Sequence, residues 1–157
     1  MNTTNTSALE VAKYLLNIAN KEGDLISNLK LQKLLYYAQA WYLVNHDMPL
    51  FKEPIEAWAL GPVVKEVYSQ FKKFKASPIN YQSTNQEAQV FTRKQIRYLD
   101  EFYDVFSKFT AHELVNMTHN DSPWKETFEK NENEIPLEAM KKYYTKALKE
   151  RKNATRQ

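Results

Sequence analysis

The side chains that could bind a metal or act in catalysis are few and poorly spaced. The chain has three histidines, and two of them, His112 and His119, lie seven residues apart. On one continuous helix this spacing separates them by about 10 Å along the axis, too far for both to bind one zinc ion. We therefore expect no metal site and no cofactor.

The composition excludes further chemistry. Without cysteine there is no disulfide, no thiol nucleophile and no cysteine-bound zinc. The two glycines, Gly23 and Gly61, are too far apart to form a Walker loop or a dinucleotide-binding turn. Neither G-x-S-x-G nor H-E-x-x-H occurs. The sequence thus predicts a protein that is not an enzyme and has no catalytic residues.

One enzymatic alternative stays open, a hydrolase or nuclease whose dispersed site includes Glu113 and His119. Carboxylates also cluster at Asp100, Glu101 and Asp104. On a helix these three lie opposite the apolar residues of the same segment, as expected for a solvated face.

The charge is unevenly distributed along the chain. The net charge is +3, but residues 1–140 hold 15 basic and 18 acidic residues, whereas residues 141–157 hold seven and one. Within the first part, the basic residues cluster only at Lys65, Lys72, Lys73 and Lys75. This patch and the basic tail support an alternative interpretation, a nucleic-acid-binding regulator that represses its own operon. The favoured interpretation is that these four lysines form the solvated side of a helix and that nucleic acid is an unlikely partner.

The elements that must position these residues are mostly helical. Capping-box patterns at Ser7, Thr92 and Thr110 predict helix starts, and Gly23 predicts a helix end. We expect Pro62 to open a third helix.

The other predicted elements include a second helix capped by Ser27 or Asn28 and a final helix opened by Pro136. We also expect a short strand or irregular turn around residues 55–58. A long loop over residues 76–91 has room for a small strand at 89–91.

These elements predict a mainly α fold, a single compact helical domain of about six helices with room for a minimal two-stranded β-ribbon. The domain would span residues 1–149, and residues 150–157 would form a basic C-terminal tail that frays. The N-terminal segment lacks the basic and apolar regions of a signal peptide. No apolar run is long enough to cross a membrane, so a cytoplasmic protein is expected.

Aromatic residues concentrate between residues 36 and 68. Tyr36 and Tyr37 are adjacent and point about 100° apart on a helix, so we expect one of them near the core boundary. Tyrosine and tryptophan are frequent anchors of protein interfaces. The cluster is therefore either an interface or a tyrosine-rich core, and the sequence favours neither.

Three blocks in order resemble the SocA-like antitoxin domain, also called the Panacea domain and earlier described as phage-associated proteins. The resemblance covers roughly residues 8–148. The blocks are L29-KLQKLLYYAQA-W41; P49-L-F51 with I55-EA-W58, G61-PV-V64 and Tyr68; and L114-V115 with His119, P123-W-K125 and Ile135.

This resemblance implies a mainly helical antitoxin that neutralises a cognate toxin encoded nearby by binding it directly. It further implies a prophage or mobile-element origin. The same binding would also allow delivery of the toxin to a protease. Family resemblance identifies neither the toxin nor any catalytic residue.

We expect one groove, beside the Gly61-Pro62 turn and an exposed helix N-terminus, to receive the partner. The residues predicted to form this site are Gln32, Lys33, Tyr36, Trp58, Gly61, Pro62, Tyr68, His119 and Trp124. In the alternative interpretation, the same residues hold the two halves of the domain together.

Overall fold

The computed structural model describes residues 4–155. Within this range lie seven α-helices, one small antiparallel sheet and two short 3-10 helices, at Lys72–Phe74 and Glu87–Val90. The α-helices are α1 (Ala8–Glu22), α2 (Asn28–His46), α3 (Lys65–Phe71), α4 (Arg93–Phe106), α5 (Ala111–Asn120), α6 (Ser122–Glu129) and α7 (Leu137–Thr155). The predicted mainly α, single-domain fold is confirmed.

Helix α2 is the centre of the domain. Every residue from 31 to 40 is buried, and α1, α3, α4, α5 and α7 all pack against this helix. A helix buried on all sides normally carries apolar residues all round. Helix α2 instead buries four polar side chains, Asn28, Gln32, Lys33 and Gln39, and each of these needs an internal hydrogen-bond partner.

The predicted β-ribbon exists as a hairpin. Strand β1 (Glu56–Trp58) pairs with strand β2 (Gly61–Val63), with Trp58 opposite Gly61. Ala59 and Leu60 form the turn between them. The outer edge of β1 is covered by the segment before α7, since the Ala57 amide donates to the Asn133 carbonyl at 2.8 Å. The hairpin is thus held on both sides by the domain.

Local signals identified several helix ends correctly. Ser7, Thr92 and Thr110 each form the predicted capping box with a Glu or Gln three residues later. Ser27 caps α2. Gly23 ends α1 in the left-handed conformation, with φ of 74°.

Three sequence-based predictions are wrong. Pro62 lies in strand β2, because residues 61–63 pair with strand β1, and the third helix starts at Lys65. Residues 87–90 form a 3-10 helix, so no strand forms at 89–91. Tyr36 and Tyr37 are both buried, because neighbouring helices cover α2 on every side.

Helix α7 continues through Thr155, and all of its residues from 149 onward are exposed. The division into a domain over 1–149 and a fraying tail over 150–157 stays a prediction. Residues 156 and 157 lie outside the described range.

Candidate partner-binding site

Lys33 lies directly beneath the hairpin. Its side chain is fully buried, and its amine donates to the Pro62 carbonyl at 3.0 Å. The backbone of Gly61 passes so close that a Cβ atom there would lie 2.5 Å from Lys33 Cε and 3.0 Å from Thr118 Oγ1. Gly61 also has φ of 112°, where L-residues are strained. Glycine is therefore required by both conformation and space.

Burial dominates the electrostatics of Lys33. Loss of hydration lowers the pKa of its amine to about 7, because a charged group is poorly solvated in the interior. Within residues 4–155 the sole ion pair joins Lys141 to Asp47, so no carboxylate in that range offsets the charge of Lys33. Its role in the structure is to hold Pro62.

The two buried glutamines of α2 hold the rest of the same segment. Gln32 Oε1 accepts from the Val64 amide at 2.9 Å. Gln39 accepts from the amides of Leu50 and Phe51, at 2.6 and 3.2 Å, and donates to the Phe51 carbonyl at 2.8 Å. The buried polar side chains of α2 therefore fix the non-helical chain between α2 and α3 through its backbone.

An aromatic layer covers the hairpin from the side of α6. Trp124 Nε1 donates to the Trp58 carbonyl at 2.9 Å. The Trp124 ring stacks on His119 at 4.2 Å and on Phe128 at 4.8 Å between ring centroids, and the Trp58 ring meets Tyr68 edge-on at 5.0 Å. His119 Nε2 is buried without a hydrogen-bond partner among residues 4–155. The rings thus form two groups, one from α5 and α6 and one from the hairpin and α3, which the hydrogen bond from Trp124 to the Trp58 carbonyl joins.

Two large apolar side chains of these elements are exposed to solvent. Leu60, at the hairpin turn, is 62% exposed, and Phe128, on α6, is 40% exposed. Trp58 and Tyr68 are half-buried beside them. We call these four residues, Trp58, Leu60, Tyr68 and Phe128, the hairpin surface.

The structure brings most of the sequence-predicted site residues together, at different depths. Gln32 and Lys33 lie below the hairpin, Gly61 and Pro62 lie in it, and Trp58, Tyr68, His119 and Trp124 lie around it. Tyr36 has another role, since its buried hydroxyl lies 3.0 Å from the hydroxyl of Tyr144 on α7. The predicted groove stays a prediction, and only its outer members can touch a partner without unfolding.

A second polar cluster ties α7 to α2. The Asp121 carboxylate accepts hydrogen bonds from the hydroxyls of Tyr37, Tyr143 and Tyr144, at 2.9, 3.1 and 2.7 Å. Burial raises the pKa of Tyr37 and Tyr144 far above that of an ordinary phenol, so both stay protonated and donate. This cluster fixes the start of α6, and hence Phe128, relative to the core.

Sequence reasoning missed Gln39, Leu60, Asp121 and Phe128. For Gln39, the available signal was a polar amide within a stretch of otherwise apolar and aromatic residues, from residue 34 to residue 41. The two-residue interval between Trp58 and Gly61 could have identified Leu60 as a turn residue. Nothing in the sequence linked Asp121 to tyrosines far away in the chain.

Lys65, Lys72, Lys73 and Lys75, the residues of the alternative interpretation, are all exposed. Lys65 lies on α3, Lys72 and Lys73 lie on the 3-10 helix that follows, and Lys75 comes directly after it. The Lys73 amine is 5.3 Å from the centroid of the Phe74 ring. Within residues 4–155 no three His, Asp or Glu side chains are grouped so as to hold a metal ion. In the same range no helix is both long and apolar enough to span a membrane.

The fold and site define a mainly helical domain that presents a β-hairpin on a central buried helix. The chain belongs to the family described as antitoxin SocA-like, Panacea domain, which matches residues 31–125, more than half of the chain. This match contains all nine sequence-predicted site residues. Membership supports an antitoxin role.

One curated relative matches part of the chain. Antitoxin SocA from Caulobacter vibrioides (strain NA1000 / CB15N) is 47% identical over 64 residues, which is 41% of this chain and 34% of the relative. The match therefore spans about a third of that protein's length. No solved structure matches the chain.

Proposed function

We propose that this chain is an antitoxin that neutralises a protein toxin, encoded nearby, by binding it through the hairpin surface. Membership of the antitoxin family supports the general role. The observation that supports the location is the exposure of two large apolar side chains, Leu60 at the hairpin turn and Phe128, which stacks on Trp124.

The chemistry of this surface suits a protein partner. Protein interfaces derive most of their affinity from a few aromatic and large apolar anchors that become fully desolvated on binding. Trp58 and Tyr68 offer a large apolar area with little side-chain entropy to lose. Leu60 and Phe128 are exposed and could enter pockets of a partner.

The support beneath the surface makes it rigid. Lys33, Gln32 and the tryptophan pair fix the hairpin backbone before any partner arrives. A preorganised surface loses little conformational entropy on binding, so more of the contact energy becomes affinity. Gln32, Lys33 and Gly61 are therefore positioning residues in this proposal, and Tyr36 acts only through α7.

The test is rescue of cells from the toxin. The protein encoded next to this chain would be expressed alone, to establish toxicity, and then with this chain. We expect Leu60→Asp and Phe128→Asp to lose rescue, because each places a charge where apolar contact is needed. The matched control is Val105→Asp on α4, since Val105 is 58% exposed, close to the exposure of Leu60.

Rescue by both hairpin variants at full strength would contradict the proposed surface. Failure of every neighbouring gene product to kill cells, or failure of the wild-type chain to rescue, would contradict the antitoxin role itself. The folded state of each variant would be checked by circular dichroism.

Toxin abundance during rescue distinguishes the two modes of neutralisation. A blocked toxin accumulates with its antitoxin, whereas a toxin delivered to a protease disappears. We propose blocking by direct binding, and stable toxin in rescued cells is the expected result. The proposed prophage origin is checked separately, from the genes that flank this one.

A further inference from the structure

The C-terminal part of α7 is a helix without tertiary cover. Met140 and Tyr144 are the buried residues of α7, Ala147 and Leu148 are half-buried, and every residue from 149 to 155 is exposed. The last two turns of the helix therefore extend past the region where α7 packs on α2. Such an extension contributes no apolar burial to the core.

Four lysines follow one stripe along this helix. Lys142, Lys146, Lys149 and Lys152 are spaced by four, three and three residues, so they lie on one face of an α-helix. The stripe is about 15 Å long. All four side chains are exposed. We call these residues the α7 lysine stripe.

The stripe forms no close ion pair within residues 4–155. Glu126 and Glu150 border the same groove as Lys142 and Lys146, and Glu138 lies one turn before Lys142, so the charge is offset in part at the start of the stripe and least at Lys149 and Lys152. The sole ion pair formed by residues 4–155 is that of Lys141 with Asp47. From residue 141 to residue 155 the single acidic side chain is Glu150. Lysines three and four residues apart repel one another by a few tenths of a kcal/mol each. An anionic partner would relieve this repulsion.

We propose that the α7 lysine stripe binds the phosphate backbone of duplex nucleic acid, without reading its sequence. A protein partner is disfavoured because the stripe lacks the aromatic or apolar centre of protein interfaces, which this molecule presents at the hairpin surface instead. A single strand is disfavoured because base stacking needs open ring faces, and Tyr143, the ring that borders the same groove as Lys142 and Lys146, is half-buried and bonded to Asp121. Regularly spaced ammonium groups on a rigid rod suit a regular array of phosphates.

Binding of this kind has a characteristic salt dependence. Each phosphate neutralised contributes about −0.9 to the slope of log affinity against log salt concentration. Four lysines therefore predict a slope of about −3 to −4. Between 50 and 200 mM salt this weakens binding by about 100-fold.

The experiment measures fluorescence anisotropy of a labelled 24-base-pair DNA duplex, and of an RNA duplex of the same sequence, at several salt concentrations. The test variant replaces Lys142, Lys146, Lys149 and Lys152 with Gln. The matched control replaces Lys65, Lys72, Lys73 and Lys75 with Gln, which removes the same charge from the other basic patch. Gln preserves helix propensity, and circular dichroism checks that both variants fold.

We expect the wild type and the control to bind at least one duplex with the predicted slope, and the α7 variant to lose at least 10-fold in affinity at 50 mM salt. The inference is overturned by absence of duplex binding at 50 mM salt, or by an equal or larger loss in the control. It is also overturned if poly-glutamate, added at equal charge, displaces the labelled duplex from the chain as effectively as unlabelled duplex does. None of these results affects rescue from the toxin.

Discussion

The hairpin and the end of α7 are opposite kinds of polar structure. At the hairpin, buried polar side chains of α2 are bonded to backbone groups, and the exposed side chains above them are apolar. At the end of α7, the exposed side chains are charged and lie on two turns of helix with no tertiary cover. The first region is held rigidly from below, and the second is held only by its own helix.

This difference separates stability from binding. Substitutions beneath the hairpin should destabilise the fold, because they leave buried polar groups without partners. Substitutions along the α7 lysine stripe should leave stability almost unchanged and alter only what the surface attracts. The predictions below test this separation, from the largest expected effect to the smallest.

Gln39→Leu should destabilise the domain most. It removes three hydrogen bonds to Leu50 and Phe51 backbone groups that are buried beside it, and each unsatisfied group costs about 1–3 kcal/mol. We expect a loss of about 3–5 kcal/mol in the free energy of unfolding, measured in urea. Gln70→Leu, at an exposed position on α3, should change it by less than about 0.5 kcal/mol. Equal effects of the two substitutions would contradict the anchoring role of Gln39.

Gly61→Ala should cost about 2–4 kcal/mol. The left-handed backbone is strained for alanine, and the new Cβ would also displace Lys33. Gly23→Ala is the matched control, because Gly23 has φ of 74° and nothing within 4 Å of the new atom, so it bears the backbone strain alone, about 1–2 kcal/mol. Thermal unfolding of both variants measures the difference. A cost at Gly61 no larger than that at Gly23 would show that a Cβ atom at Gly61 does not clash with the Lys33 side chain.

Lys33→Met should change how stability depends on pH. Because burial lowers the pKa of Lys33 to about 7 from 10.5, the unfolded chain binds more protons than the folded one between these values. Wild-type stability therefore gains up to about 1.4 kcal/mol per pH unit from this group as pH rises through that window. Below about pH 7 the gain is absent.

Urea unfolding of wild type and Lys33→Met at pH 7, 8 and 9 tests this expectation. The difference in unfolding free energy, wild type minus variant, should increase with pH. The contributions of the other lysines are the same in both proteins and cancel in this difference. A difference that stays constant from pH 7 to pH 9 would mean that Lys33 is charged in the folded protein throughout.

Lys149→Gln combined with Lys152→Gln should have the smallest effect on stability. Both side chains are exposed and near the end of α7. The free energy of unfolding, followed through the melting temperature, should therefore change by less than about 0.5 kcal/mol. At low salt a small gain is expected, because like charges three residues apart repel. A loss above about 1 kcal/mol would show that the end of α7 is held by contacts with the domain.

Local signals in the sequence predicted most of the helices, because capping depends on residues only three apart. Ser7 with Glu10 is one case, confirmed in detail. A short strand or an irregular turn was predicted around residues 55–58, and a strand forms there. The start of α3 was not predicted, because Pro62 is compatible with both a helix start and a strand, and the pairing of residues 61–63 with residues 56–58 selects the strand.

The sequence predicted a set of residues most of which the structure places around the hairpin, but it did not predict how deeply each is buried. The family resemblance identified Lys33, Gly61 and Trp124 as a group, and the structure places them around one hairpin. Their burial depends on contacts between distant segments, such as Lys33 with Pro62, which no local pattern contains. The exposure of Phe128 was missed for the same reason, whereas Leu60 could have been recognised locally as a turn residue.

Hydrogen–deuterium exchange of this chain, alone and with the neighbouring toxin, tests the central claim most directly. If the partner docks on the hairpin surface, amides of residues 56–63 and 122–129 should exchange more slowly in the complex, with those of α4 unchanged. Protection confined to α4, or to the end of α7, with unchanged exchange at the hairpin would contradict the account.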